Sequence, residues 1–301
     1  MARIHATRLT LYAAFVANLA IAIIKFVAAA LGGSSALFSE GMHSVVDTGD
    51  GLLILLGVYL SHRPPTERHP YGHGIEVYFW TIVVAMSIFG LGGGLSIYRG
   101  ISRLSEPHVP RDLAWTYGVL AVSFVFEGCS WLIARRQFRH VRGKRSAWDE
   151  IRRSKDPTTF VVVLEDSAAL LGIGIAVAGL TLAYALDAPV FDALASIVIG
   201  CLLLVVGIVL GRETRSLLLG ESAARAVVES IRQIACAVPG VVDAQPPRTM
   251  HVGPAVIHVD LDIELAADAR ADAVATARRI EAAVQAKHPK VAGVFVRFGS
   301  E

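Results

Sequence analysis

The chain has 301 residues, of which 54% are hydrophobic, and its mean hydropathy is +0.54. This hydrophobic share lies above the about 45–50% typical of soluble domains, which argues against an ordinary soluble protein. The 28 basic and 26 acidic residues give a net charge of +2, so the total charge by itself identifies no partner. The cysteines Cys129, Cys201 and Cys236 lack C-x-x-C spacing, so neither a disulfide framework nor a cysteine metal cluster is indicated.

Six apolar runs are long enough to cross a bilayer, for which a helix needs roughly 20 residues. The first run is followed by further runs, so it is interpreted as a transmembrane helix and not as a cleaved signal peptide. We therefore expect an α-helical, multi-pass integral membrane protein with six transmembrane helices. The six runs are Thr10–Leu31, Leu37–Leu60, Glu76–Tyr98, Asp112–Ala134, Thr159–Tyr184 and Val190–Gly211.

Basic residues mark one side of these spans. Arg3 and Arg8 precede the first span, Arg63 and Arg68 follow the second, and a dense basic run from Arg135 to Lys155 follows the fourth. By the positive-inside rule, both termini face the cytoplasm, and we expect the cell (inner) membrane. The basic run could instead bind nucleic acid or anionic lipid. Its position between two spans makes topology the simpler explanation, so no nucleic-acid partner is expected.

The composition becomes charged after the sixth span. Three segments have strand character, the second with clean alternation of apolar and polar residues, and two have helical character. Their order predicts a small α+β domain (αββαβ, ferredoxin-like) with a face available for pairing with a second copy. We place the boundary between the transmembrane domain, 1–215, and the cytoplasmic domain, 216–301. The segments are Ala223–Ala237, Val241–Met250, Ala255–Leu265, Asp268–Lys287 and Val291–Phe298.

Ionisable residues lie inside the second span. His43 and Asp47 are four residues apart, so a helix places both side chains on one face, and Asp50 follows near that face. An imidazole and a carboxylate arranged in this way supply half of a tetrahedral site for a divalent metal such as zinc. A helix start with Ser39 as N-cap would explain Glu40 but not the groups further in. Ionisable groups inside a span indicate a functional site.

The fifth span contains two adjacent carboxylates, Glu165 and Asp166. Neighbouring residues in a helix point about 100° apart, so the two acids are expected to have different tasks. One can face a metal ion, while the other lies at a helix interface or on a water-filled path. The second and fifth spans together therefore predict an intramembrane metal site.

Several motifs resemble the cation diffusion facilitator family. They include the segment Gly33–Asp47 with Lys25 before it, His69-Pro70-Tyr71-Gly72-His73-Gly74, and Gly253-Pro254 between the predicted strands. Glu165-Asp166-Ser167-Ala168-Ala169 is further similar to the branch containing the zinc transporter 9 proteins. The resemblance implies a homodimeric metal/proton antiporter that moves zinc out of the cytoplasm. It implies no enzyme and no prosthetic group, with Zn²⁺ or another divalent cation as the transported substrate.

The family site departs from its usual pattern in the fifth span. Asp166 matches the aspartate of an H-x-x-x-D motif, but Val162 occupies the histidine position. The fourth ligand must come from Glu165, Asp50, a second carboxylate oxygen or water. A site with one nitrogen and several oxygens should discriminate less strongly against manganese, iron or cobalt. If Val162 faces the ion, Val162→His should move selectivity toward zinc.

Two further family metal sites are altered. Between the second and third spans, His69 and His73 fit a loop site, but Thr66 occupies the place of the acid and Glu67 lies beside it; both histidines could equally be loop hydrogen-bond partners. In the cytoplasmic domain, His251, His258 and Asp260 could form a weak metal site. Arg297 would repel a cation there, so a solvated strand face or dimer contact is the better interpretation.

Three other ionisable residues lie within the spans. Glu127 and Asp192 are candidates for a proton path, a gate or helix-end groups. Lys25 can balance an acid electrostatically or extend toward the membrane surface. The glycines near Gly93 resemble a phosphate loop only superficially, and small residues in a span permit close helix packing.

The expected mechanism follows from charge. His43, Asp47 and Asp166 replace the hydration shell of the ion, and metal binding displaces protons from the ligands. Reprotonation of His43 on the outer, more acidic side would release the metal. An intramembrane hydrolase using Asp47, Asp50, Glu165 and Asp166 is an alternative, but the sequence lacks an obvious substrate-binding feature. A metal-gated channel is a second alternative. Metal flux that does not depend on a proton gradient would indicate such a channel.

Overall fold

The computed structural model describes residues 18–105, 113–142 and 155–299. Five helices in these ranges are long and apolar enough to cross a membrane, and a shorter apolar helix precedes them. The residues before Asn18, and with them the start of the first predicted span and Arg3 and Arg8, lie outside the described ranges, as does most of the basic run 135–155. The helices are α1 (Asn18–Gly32), α2 (Ser35–Ser61), α3 (Glu76–Ser105), α4 (Leu113–Arg142), α5 (Pro157–Ala185) and α6 (Val190–Leu219).

The described residues divide into two compact units. Residues 18–56, 80–105, 113–142 and 157–213 form the first, which is helical. Residues 57–79, 155–156 and 214–299 form the second, which contains the sheet. The second unit therefore includes the loop between α2 and α3 in addition to the predicted cytoplasmic domain.

The N-terminus of α2 is fixed by a carboxylate from α6. Asp192 accepts hydrogen bonds from the backbone N–H of Ser35 (2.6 Å) and from the hydroxyls of Ser34 (2.5 Å) and Ser35 (2.7 Å). The first N–H groups of a helix have no partner within the helix, and its positive end attracts an anion. Asp192 thus caps α2 from a neighbouring helix. This contact agrees with the helix-end interpretation of Asp192.

Glycines allow α3 and α6 to pack closely. α3 contains a π-helical segment, Ile88–Gly94. A Cβ atom at Gly93 would lie 2.7 Å from Leu204 Cδ2, and one at Gly200 would lie 2.6 Å from Ile97 Cγ1. Neither position has room for a side chain. Gly93 of the third span therefore serves helix packing, as the sequence predicts.

The second unit has a four-stranded sheet with two helices, α7 (Arg225–Cys236) and α8 (Ala273–Lys287). Its strands are β1 (Val241–Ala244), β2 (Arg248–Gly253), β3 (Val256–Leu265) and β4 (Val291–Phe298). β3 pairs antiparallel with β1 and β2 and parallel with β4. Asp260 of β3 pairs with Arg248 on one side and Phe295 on the other, so β2 and β4 lie on opposite edges of β3.

The α+β class is confirmed, but the predicted strand Val241–Met250 is two strands. The ladder is interrupted between Ala244 and Arg248, where Pro246 and Pro247 cannot donate backbone hydrogen bonds. β1 and β2 pair with successive parts of the same edge of β3, so together they occupy the place of one strand. The observed order is therefore αβββαβ, and the αββαβ pattern differs from it only by this break.

The core of the second unit follows from the alternation along β3. Val259 and Leu261 are fully buried and Ile263 nearly so, while the residues between them are more exposed. Ile231 of α7 and Ile280 of α8 pack into the same cluster. One face of the sheet is thus covered by both helices, and this unit has a hydrophobic core of its own.

Leu261→Ala tests this core. Because Leu261 is fully buried at the centre of β3, the substitution should lower the free energy of unfolding by about 2–5 kcal/mol. Urea denaturation of the isolated segment 222–301 measures the loss. Val242→Ala is the matched control, since Val242 is 66% exposed and its loss should change stability by no more than about 0.5 kcal/mol. Equal losses in both variants would contradict the described core.

Candidate metal site

α2 and α5 carry the predicted ligands inside the first unit. On α2, His43 is 3% exposed and Asp50 is 1% exposed, while Asp47 is partly buried. On α5, Glu165 and Asp166 are each 5% exposed. All five side chains lie within helices that are long and apolar enough to span a membrane. Such burial of ionisable groups is costly, which supports a functional role.

The structure brings the acids of the two helices near one another. The Glu165 carboxyl lies within electrostatic range of Asp47, Asp50 and Asp166. Asp47 in turn lies within range of Asp166, and also of Glu127 on α4. Several carboxyl groups therefore share one buried region, where a divalent cation would offset their mutual repulsion.

Several polar atoms in this region make no hydrogen bond of normal length and angle within the described residues, although Ser87 lies near the Asp50 carboxylate and Asp47 near that of Glu165. These atoms are both ring nitrogens of His43, both carboxylate oxygens of Asp50 and Oε1 of Glu165. A buried polar atom without a partner is destabilising and uncommon in native proteins, so each such atom needs an explanation. Imidazole nitrogen and carboxylate oxygen are ligands of zinc. The free atoms thus fit a site that takes a metal ion as cargo.

The described residues do not form a closed coordination sphere in this conformation. No three His, Cys, Asp or Glu side chains within these ranges converge closely enough to hold one ion. Asp166 Oδ2 instead accepts a hydrogen bond from Ser130 Oγ on α4 at 2.9 Å. The ligand set therefore stays a prediction.

Val162 differs from its neighbours on α5. Its side chain is 38% exposed, whereas Val161 is fully buried. Glu165, one turn further along, is buried near the acids of α2. Glu165 therefore stays a candidate for the fourth ligand, whereas the side chain at position 162 lies on a partly exposed side of α5.

The loop histidines stand apart from the intramembrane residues. The His69 and His73 rings lie 4.6 Å apart between centroids, and the backbone N–H of His69 donates to Thr66 Oγ1 at 3.2 Å. Glu67 and His69 are exposed. Thr66, which replaces the expected acid, thus orders the loop through hydrogen bonding. This bond involves the backbone of His69 and not its ring, so the metal-site and hydrogen-bond interpretations of His69 and His73 both stay predictions.

His251 and His258 of the cytoplasmic domain are held by contacts with neighbouring residues. Burial lowers the pKa of His251, whose backbone N–H donates to the Glu221 carbonyl at 2.9 Å. Burial also lowers the pKa of His258, against the opposing effect of Asp260, and its ring lies between those of Tyr71 and Phe295 at 4.7 and 6.0 Å.

The arginine near these histidines is paired. Arg297 Nε donates to Asp262 Oδ1 at 2.7 Å, so its charge is directed to a carboxylate on the adjacent strand. Asp260 is exposed. Within the described part of this domain, no metal-binding cluster forms from His251, His258 and Asp260. The weak metal site and the solvated strand face both stay predictions for these residues.

One contact between the membrane helices was missing from the sequence interpretation. Glu40, which we assigned to a helix start, is fully buried and pairs with Lys25 at 3.2 Å. Glu127 Oε1 lies 3.7 Å from the same ammonium group. The sequence did indicate such an ion pair, because three apolar spans contain one cation and two acids. Their pairing could not be deduced because the sequence does not show how neighbouring helices are rotated toward one another.

Comparison with known proteins identifies both parts of the chain. Residues 11–219 match the family model of the cation efflux transmembrane domain, and residues 224–298 match that of the cation efflux protein cytoplasmic domain. The chain is 35% identical over 212 residues to the mitochondrial proton-coupled zinc antiporter SLC30A9 of Mus musculus and 36% identical to that of Homo sapiens. It is 33% identical over 207 residues to metal tolerance protein C4 of Arabidopsis thaliana.

These alignments cover most of this chain but only part of each relative. They include 70% of the chain and 37% of each mammalian protein, and 68% of the chain and 45% of the plant protein. The chain thus matches less than half the length of these relatives. Since the two family models span nearly the whole chain, it belongs to the cation efflux family of membrane transporters, the cation diffusion facilitators, and resembles their zinc transporter 9 branch.

Proposed function

We propose that this cation efflux protein exports a divalent metal, with zinc as the first candidate, in exchange for protons. One observation carries the proposal. His43, Asp50 and Glu165 hold buried nitrogen and oxygen atoms that could bind a metal and that make no hydrogen bond of normal geometry, and all three residues lie within helices long and apolar enough to span a membrane. Asp47 and Asp166 complete the proposed ligand set. The relatives named as proton-coupled zinc antiporters support the choice of metal and of counter-ion.

The proposed exchange follows from ligand chemistry. A histidine nitrogen must be unprotonated and a carboxylate ionised to bind a metal, so metal binding and proton binding compete for the same atoms. A set with one nitrogen and several oxygens favours zinc less strongly than a two-histidine set. Manganese, iron and cobalt are therefore the alternative substrates. We observe no feature that favours the intramembrane hydrolase.

The remaining proposals concern the orientation of the protein, its membrane and its oligomeric state. We propose that both termini face the cytoplasm, as the distribution of Lys and Arg indicates, and that the protein resides in the cell membrane. The mammalian relatives are named as mitochondrial. We further propose a homodimer that pairs through the cytoplasmic domain.

Metal uptake into inside-out membrane vesicles tests the function. Zinc, manganese, iron and cobalt are compared with and without a pH gradient, in vesicles with and without the protein. We expect zinc uptake that is stimulated by a gradient acid inside. Uptake that is independent of the gradient would indicate a channel, and absence of uptake for all four metals would refute metal export.

Asp47→Ala and Asp166→Ala test the ligands. Each should reduce zinc transport to about a hundredth or less, since even outer-shell partners of a metal contribute about 10–100-fold. Size-exclusion chromatography in detergent verifies that the variants remain folded. Asp243→Ala is the control, because Asp243 lies in the cytoplasmic domain and forms a partly exposed ion pair with Arg232. Near-normal flux in either ligand variant would show that the site is misplaced.

Val162→His and Glu165→Gln test the fourth ligand. Because Val162 is 38% exposed and Glu165 is buried beside the α2 acids, Val162→His should leave the ratio of zinc to manganese transport unchanged. Glu165→Gln removes an anionic oxygen, so it should lower zinc transport about tenfold and move the ratio toward zinc. Transport of both metals is measured in one preparation and normalised to expression. A shift toward zinc in Val162→His alone would place position 162 at the ion.

Dimerisation of the isolated segment 222–301 should not need metal. Arg297 lines the same surface as His258 and Asp260, so its charge opposes metal binding there and with it a metal-dependent interface. Sedimentation velocity with and without a chelator measures the oligomeric state. A dimer that dissociates in chelator and reforms with zinc would contradict the prediction.

A further inference from the structure

Lys25 is a fully buried cation that joins three helices. Its ammonium donates to Ser44 Oγ at 2.7 Å and to Glu40 Oε2 at 3.2 Å, both on α2. It also lies 3.7 Å from Glu127 Oε1 on α4. Lys25, Glu40 and Ser44 are all buried, so these contacts are made without competing water. A charge in such a place is tolerated only when it is paired.

These contacts surround the turn of α2 that carries a predicted ligand. Glu40 lies three residues before His43 and Ser44 one residue after it. The charge of Lys25 acts on both His43 and Asp47, and the charge of Glu127 acts on Asp47. The Lys25 group is therefore within electrostatic range of the proposed transport site without supplying a ligand to it.

The Glu40 carboxyl packs closely against α5. Its Oε1 atom has no hydrogen-bond partner among the described residues and lies against Gly172 of α5, where any Cβ atom would overlap it. The pair is thus enclosed between α1, α2 and α5. Within the described ranges, Lys25 is the only Lys or Arg that is fully buried, whereas Glu40, Asp50, Glu165 and Asp166 are all buried acids.

We propose that Lys25 is a positioning residue that sets the charge of the transport site. As a fixed cation beside Glu40 and Glu127, it reduces the negative potential at the ligands and keeps metal binding weak enough to be reversed. This inference rests on the proposed metal transport. It differs from a purely structural ion pair because it predicts the direction in which each partner changes metal affinity.

The two partners of the ion pair should have opposite effects. Loss of the Lys25 charge makes the region more negative, so a divalent cation should bind more tightly. Loss of the Glu40 charge makes the region more positive, so the cation should bind more weakly. If the pair served only to hold the helices together, breaking it from either side would change affinity in the same direction.

Zinc binding to the full-length protein in detergent, measured by isothermal titration calorimetry, separates these cases. Lys25→Gln removes the charge but keeps an amide that can bond to Glu40 and Ser44, and Glu40→Gln is its counterpart. We expect Kd to fall at least about fivefold in the first and to rise at least about fivefold in the second, within the usual range of coupling between sites. The double variant should return toward the wild-type Kd. Vesicle transport should show slower zinc turnover and a lower KM in Lys25→Gln.

Ser196→Ala is the matched control without a charge change. Ser196 makes buried hydrogen bonds to Ser39 Oγ (2.6 Å) and to the Ser96 carbonyl (2.9 Å), so its loss perturbs helix packing alone. Its Kd should equal that of the wild type. If Lys25→Gln does not fold alone, the comparison of Glu40→Gln with the double variant still reports the sign of the Lys25 effect.

Two results would overturn the inference. One is a shift of Kd in the same direction in Lys25→Gln and Glu40→Gln, and the other is an unchanged Kd in both. These results concern a wild-type protein that binds and transports zinc. A wild-type protein that binds and transports none of the tested metals would instead refute the proposed function, and the inference would fall with it.

Discussion

The free energy of placing charge inside a membrane constrains this structure more than any other term. A buried charge without a partner is strongly unfavourable, so helices that carry ionisable residues must meet where those residues can pair. Two such meetings fix α2: Asp192 binds its N-terminal N–H groups, and Lys25 binds Glu40 and Ser44 one to two turns further. The position of α2 in turn decides where His43 and Asp47 lie.

The same constraint explains why the predicted ligands and the residues that fix α2 differ in their hydrogen bonding. Asp192 and Lys25 have hydrogen-bond partners, whereas the His43 ring nitrogens and the Asp50 carboxylate make no hydrogen bond of normal length and angle within the described residues. Fully paired groups hold one arrangement, while unpaired groups gain most from a ligand.

Sequence patterns predicted the elements well because their signals are local. Span length, apolar periodicity and strand alternation identified the helices and β3, and the break at Pro246 and Pro247 was readable from the missing N–H groups, although we placed a single strand there. The partnership of Lys25 with Glu40 was not predictable. Spacing along one helix shows which residues share a face, but it does not show how that helix is rotated toward its neighbours.

The difference between Val162 and Glu165 shows that the rotation of α5 about its axis decides which side chains lie near the acids of α2. Positions 162 and 166 share a helical face, so a family motif with ligands at both would direct that face to the ion. Here Val162 is partly exposed, Glu165 lies near the α2 acids, and Asp166 bonds to Ser130 of α4. Glu165 therefore gives α5 a second carboxylate, which points in a different direction around the helix axis from Asp166. Valine in place of histidine removes a nitrogen ligand from the family pattern, and Glu165 is our proposed source of an oxygen ligand from a different direction around the helix, which would change both the chemistry and the geometry of the site.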